Sequence, residues 1–352
     1  CGGRRQSGQG LIRLQPCTWA LIVADDAEAT PLAALGWTAF EAARRTPGWE
    51  PARVFSARRS EALAWSTQGE RRVDLSMHRA LGPIAVGDWL LAEPGSERWQ
   101  RLERRTEIAR KAAGEHVHQQ VLSANVDRLL IVSSCNQEFS LARLDRYLVL
   151  ACDCDVTPEI VLTKADLADD AGTLVQAASG LLAGVSVHLV DARDPAQVGP
   201  LASTIEFGQT LALVGSSGVG KSTLANALGA PELATGAVRS ADDKGRHTTT
   251  ARSMLRLPGG GLLIDNPGIR ELQLTDCEHG IERVFADVLD RAEHCRFQDC
   301  RHEVEPGWAV QAAIVSGELP ARRLESLREL RGEQARHAGI PGANRQPACD
   351  HR

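Results

Sequence analysis

The chain has 352 residues, 43% of them hydrophobic and 24% charged, with a net charge of −5 at pH 7. That is a globular composition in a chain too long for one ordinary domain, and no apolar run approaches the roughly 20 residues that span a bilayer. Nine cysteines, an odd number scattered from Cys1 to Cys349, argue against a disulfide framework and for reduced thiols in the cytoplasm.

In chain order, residues 1–52 are expected to form an N-terminal extension. Its opening, CGGRRQSGQG, is basic and mixed and holds no secretory apolar segment, and the first thirty or so residues carry no fold expectation. Short stretches at 72–75 and 88–92 alternate in the manner of half-buried strands, compatible with a small β-barrel. Arginine clusters at 98–111 and 322–336 could contact phosphates despite the negative total, because binding follows the local field. Each cluster alone also fits a solvated helix face. Strands are then expected at 126–133, 159–162, 185–189, 210–214, 254–257 and 261–264. Helices at 141–152 and 221–228 alternate with them, as a parallel α/β sheet requires.

The strand at 159–162 runs into Thr163, Lys164, Ala165 and Asp166. This resembles the N-K-x-D motif of GTPases with Thr in place of Asn. A carboxylate at Asp166 can accept both the N1–H and the exocyclic amine of guanine, while the stem of Lys164 covers the ring. The change to Thr163 removes an amide that ordinarily ties this loop to the phosphate loop, so weaker nucleotide binding is expected. VDARD at 190–194, where a Ser-Ala pair commonly backs guanine, points the same way.

The strongest local signal follows at 211–228, LALVGSSGVGKSTLANAL. Strand, glycine loop and helix come in the order that confirms a Walker A motif. Gly215, Ser216, Ser217, Gly218, Val219 and Gly220 form the loop whose backbone N–H groups turn around phosphate oxygens. Lys221 brings a point charge to the terminal phosphates, the Ser222 hydroxyl completes a Mg²⁺ site, and Thr223 continues the helix N-terminus. A polar loop at 242–254 carries Thr248, Thr249 and Thr250, with Thr249 the expected Mg²⁺ ligand beside a γ-phosphate. A strand then delivers D-x-P-G at 265–268: Asp265 to hold Mg²⁺ through water, Gly268 to offer an N–H to the γ-phosphate. Because this switch leads almost directly into the C-terminal region, nucleotide state is expected to move that region as a unit. Further on, Cys295, Cys300 and His302 have ligand-like spacing.

The order T-K-A-D, GSSGVGKS, GRHTTT, DNPGIREL and HCRFQDCRHEVEPGWAV resembles the circularly permuted ribosome biogenesis GTPases of the RsgA type. GDWLLAEP, ANVDRLLIVSS and LDRYLVLA extend the likeness over the chain from about Leu35 onward. The resemblance implies a multidomain fold: an N-terminal β-barrel of the OB-fold type at 53–115, a central α/β P-loop GTPase with circularly permuted motif order at 116–275, and a mostly helical, zinc-binding-like domain at 276–352. It implies binding of GTP and GDP with Mg²⁺, contact with rRNA, and stimulation of hydrolysis by the small ribosomal subunit late in its assembly. Ile269 stands where ordinary GTPases place the water-orienting glutamine, and His247 matches the family's substitute, so His247, Lys221 and Thr249 are the expected catalytic group. The family's zinc set would be Cys295, Cys300, His302 and a fourth cysteine, but Trp308 occupies that place; a weaker site and a metal-free domain both remain open.

Nothing demands more than a monomer, and no membrane partner is expected. A GTP hydrolase acting on the small subunit is the leading expectation. The alternative is a nucleotide-gated RNA-binding assembly factor with little hydrolysis of its own. An ATP-using kinase is disfavoured by Asp166 and by the absence of an evident acceptor site.

Overall fold

The computed structural model describes residues 29–111, 119–230, 252–265, 277–295 and 309–337. Two short helices open it, α1 (Ala29–Ala33) and α2 (Ala39–Ala42). A β-rich region follows: β1 (Glu50–Ala57), β2 (Glu61–Ser66), β3 (Gly69–Asp74), β4 (Trp89–Ala92), β5 (Trp99–Arg101), β6 (Glu107–Lys111) and β7 (Gln119–Ala124). The alternating part comprises β8 (Arg128–Ser134), α3 (Leu141–Asp153), β9 (Thr157–Thr163), α4 (Ala171–Ser179), β10 (Ser186–Val190), α5 (Pro195–Ala202), β11 (Thr210–Val214), α6 (Lys221–Ala227), β12 (Arg252–Arg256) and β13 (Leu262–Asp265). Helices α7 (Glu278–Val284), α8 (Ala286–Ala292), α9 (Ala309–Val315) and α10 (Ala321–His337) complete the described chain.

β8 and β11 are buried at every position, the pattern of strands covered on both faces. Along β8 the side chains divide by parity. Leu129 and Ile131 join a core with Leu144 and Leu148 of α3, while Leu130 and Val132 face Val198 of α5 and Leu224 of α6. Helices therefore cover both faces of one sheet, whose order is β10-β9-β8-β11-β13-β12. The expected parallel arrangement holds from β10 to β13. β12 departs from it and runs antiparallel to β13. The reason is the connection: Leu257 N–H donates to the Gly261 carbonyl at 2.8 Å, a tight turn that can join only antiparallel strands.

The strand expected from residue 126 begins at Arg128 instead, because the preceding backbone is engaged elsewhere. The Thr106 hydroxyl accepts from Val126 N–H at 2.7 Å and donates to the Val126 carbonyl at 2.8 Å. Asp127 turns its carboxylate onto the N–H of Thr210, at 2.7 Å, and so tethers the start of β11.

In the N-terminal β region the antiparallel order is β5-β4-β1-β2-β3, while β6 and β7 form a ladder of their own. The end of β1 pairs with β12 through Ser56 and Ala57, so one sheet continues from the nucleotide half into the N-terminal strands. Arg53 of β1 is fully buried at this junction and donates to the carbonyls of Leu35 and Asn125 and to the Thr210 hydroxyl, at 3.1, 3.0 and 3.3 Å. Burial lowers its pKa to about 10, with the acidic residues Glu41 and Asp127 opposing, so it stays charged at neutral pH.

The C-terminal helices dock on α3. Gly280 of α7 lies so close that a Cβ there would sit 2.2 Å from the Val149 carbonyl oxygen. Asp145 of α3, fully buried, is held by Arg323 at 3.0 Å and Arg322 at 3.3 Å. Arg323 also reaches Asp287 at 2.7 Å and the Val284 carbonyl at 2.6 Å. Among the described residues no helix is long and apolar enough to cross a membrane.

Candidate nucleotide-binding site

The sheet brings the two expected loops together at the carboxyl ends of adjacent strands, where α/β sheets bind ligands. β11 leads into the phosphate loop and β9 into T-K-A-D, with β8 between them. The chain leaves β11 at Gly215 with φ 142°, and a Cβ there would lie 2.2 Å from the Val132 carbonyl oxygen of β8. Only glycine fits. Ser217 and Gly218 are exposed, Val219 is buried as an apolar anchor, and Lys221, Ser222 and Thr223 open α6. The Lys221 ammonium folds over its own loop, 2.8 Å from the Gly215 carbonyl and 2.5 Å from that of Ser216. Phosphate oxygens would take over these donors.

Asp265, at the tip of β13, pairs across the sheet with Leu213 of β11. Burial pushes its carboxyl above the ordinary range, and the positive charge of Lys221 pulls it back. A half-buried carboxylate and a serine hydroxyl make an all-oxygen donor set, which suits Mg²⁺. Asp265 and Ser222 are thus the described residues that would hold it.

On the base side, the Thr163 hydroxyl lies 2.6 Å from the Val219 carbonyl and 3.2 Å from that of Ser133. Its one proton goes to the nearer oxygen, so Thr163 hydrogen-bonds directly to the phosphate loop. The expected loss of the tie between the two loops is therefore corrected: a hydroxyl replaces the amide and keeps the connection. Lys164 takes the left-handed conformation, φ 56° and ψ 44°, and its ammonium donates to the Gly218 carbonyl at 2.6 Å. A non-glycine residue held there marks a backbone constrained for a purpose. Ala165 and Asp166 begin a single 3₁₀ turn, and the Asp166 carboxylate is 47% exposed. It meets Arg193, whose Nη2 lies 3.3 Å from Asp166 Oδ2.

Sequence reasoning missed a brace behind the loop. Arg143 of α3 donates from Nη1 to Ser216 Oγ at 2.7 Å, and Tyr147 also hydrogen-bonds to Ser216. The signal was available in the helical spacing of 143 and 147, which places both on one face of α3. Arg193 was also passed over, although VDARD had been singled out as atypical.

His247, Thr249 and Gly268 lie outside the described residues, as do Cys300, His302 and Trp308. Cys295 is half-buried against the core, and among the described residues no three candidate ligands gather to hold a metal ion. Cys277 packs into the core next to α7, and burial drives its thiol up to about 12.

The arrangement defines a class: a P-loop nucleotide-binding protein whose base-reading loop precedes the phosphate loop in the chain. The model of the RsgA GTPase family matches residues 101–275. The small ribosomal subunit biogenesis GTPase RsgA 2 of Vibrio parahaemolyticus is 46% identical over 310 residues, covering 87% of this chain and 86% of that protein. The RsgA of Mesorhizobium japonicum is 42% identical over 334 residues, 92% of this chain and 96% of its own length. The chain belongs to the RsgA GTPase family. Two solved structures share the fold at 24% identity. YjeQ from Thermotoga maritima superposes with a TM-score of 0.58, covering 80% of this chain and 97% of that one. YloQ, described as a circularly permuted GTPase, gives 0.57, with 83% and 98% covered.

Proposed function

We propose that the protein hydrolyses GTP to GDP and phosphate as a step in maturing the small ribosomal subunit. The observation that carries this reading is the direct bond from Thr163 to Val219, which joins a guanine-type loop to a Walker A loop as one unit. Asp166 reads the guanine edge, Lys164 covers the base plane, and the N–H groups of residues 215–220 cradle the phosphates. Lys221 leaves the loop carbonyls to neutralise charge that builds on the β–γ bridging oxygen as water attacks the γ-phosphorus. Ser222 and Asp265, with Thr249, would hold Mg²⁺, which would supply further charge neutralisation at the phosphates. His247 orients the water, in the place that Ile269 leaves without a glutamine.

The order β5-β4-β1-β2-β3 supports reading residues 53–115 as an OB-type barrel that contacts rRNA, followed by a GTPase domain to residue 275 and a helical C-terminal domain. The protein acts as a cytoplasmic monomer. Hydrolysis with and without purified small subunits, together with sedimentation of the protein on them, tests the proposal. Co-sedimentation with a GTP analogue and faster turnover on subunits are expected. Binding to subunits with no added turnover would instead favour a nucleotide-gated RNA-binding factor, the reading that Ile269 supports.

A further inference from the structure

We propose that Arg193 is an internal stand-in for guanine: its guanidinium engages the Asp166 carboxylate when no nucleotide is bound and must be displaced before the base is read. This rests on Asp166 being the guanine reader. The contact is Arg193 Nη2 to Asp166 Oδ2, 3.3 Å. The same guanidinium is forked on Asp191, with Nε 2.9 Å from Oδ1 and Nη2 2.7 Å from Oδ2. The loop that carries it is preset. The Arg193 N–H bonds Asp191 Oδ1 at 2.9 Å, and Asp194 caps α5 through the N–H of Ala196 at 3.0 Å.

The chemistry explains why these partners compete. The N1–H and 2-amino group of guanine form the edge of a cyclic guanidine, which offers two parallel N–H donors to a carboxylate. An arginine presents the same pair of donors in the same plane. Adenine has no such edge. Asp166 thus faces a chemical copy of its ligand, delivered from the loop that follows β10.

Asp191 sets how strong this competition is. Its hydrogen bonds from Arg193 hold its carboxyl at about 2, so it is ionised at neutral pH and keeps the fork occupied. In the observed arrangement Nη2 is the atom that also reaches Asp166, a single contact. Without Asp191 the whole fork would be free to turn onto Asp166 as a bidentate pair, the stronger geometry. Substitutions of the two residues should therefore act in opposite directions, a pattern that plain damage to the loop does not produce.

Both side chains are well exposed, at 66% and 47%, so the effect is a matter of a few-fold. The test is titration of GDP, and of ADP as control, into the full chain and its Arg193→Leu, Asp191→Asn, doubly substituted and Asp166→Ala forms. Arg193→Leu is expected to tighten GDP by about two- to fivefold at low salt, the range of an exposed ion pair. The gain should shrink at about 1 M salt, and ADP should not change. Asp191→Asn is expected to weaken GDP, and the double variant to bind as tightly as Arg193→Leu. Unchanged or weaker GDP binding by Arg193→Leu overturns the proposal. If Asp166→Ala binds GDP as well as the parent, it is the assignment of Asp166 that fails, and the stand-in falls with it.

Discussion

At the scale of single residues, the site depends on small groups that each do one thing. Thr163 is the clearest case. A buried hydroxyl that donates to a buried carbonyl cannot be removed without leaving that carbonyl unpaired, which costs about 1–3 kcal/mol. Thr163→Val should accordingly lower stability by that amount and weaken GDP, whereas Thr163→Asn should restore the tie; urea unfolding and GDP titration of the two variants check this. Glu159 gives a pH-dependent counterpart at the other end of β9. Burial pushes its carboxyl up, but hydrogen bonds from His188 at 3.1 Å and Arg128 at 2.5 Å outweigh burial and hold it below its ordinary value. A carboxyl whose folded pKa is depressed adds stability above its unfolded pKa and loses it as the pH falls through the folded one. Urea midpoints measured from about pH 6 down to about pH 3 should fall more steeply for the parent than for Glu159→Gln.

At the scale of elements, α3 is the piece on which most else rests. One of its faces supplies Leu144 and Leu148 to the core, another sends Arg143 and Tyr147 to the phosphate loop, and Asp145 receives Arg322 and Arg323 from the C-terminal helices. Removing one partner of a buried ion pair leaves an uncompensated charge, at about 3–5 kcal/mol. Arg323→Ala should show that loss in denaturant unfolding, while Asp145→Asn with Arg323→Met should recover part of it. How legible these elements were follows from how local their signals are. β11 and its loop could be read outright, since four apolar residues and a glycine loop need no partner to be recognised. The start of β8 could not, because Thr106 and Thr210, far away in the chain, decide where its backbone turns from loop to ladder. Thr163 was read as a loss for a related reason: its acceptor, Val219, lies 56 positions further along the chain. Arg143 and Tyr147 share one face of α3, but only the fold shows that this face meets the phosphate loop, and only the fold brings Arg193 to Asp166.

At the scale of the whole molecule, the permuted order matters because of what it connects. The phosphate loop is braced from α3, and α3 carries the C-terminal helices. The other edge of the nucleotide sheet continues through β12 into the N-terminal strands, with Arg53 buried at the seam. Both flanking regions thus touch the nucleotide half through strands and helices rather than through linkers alone. On the proposed function, one joined pair of loops selects guanine and drives turnover on the small subunit. The most direct test is turnover of GTP against ATP with purified small ribosomal subunits, for the parent and for Asp166→Ala. GTP turnover that rises on subunits, little ATP turnover, and loss of that preference in Asp166→Ala are the results expected of that reading. Equal turnover of both nucleotides by the parent, or a guanine preference that survives Asp166→Ala, would contradict it.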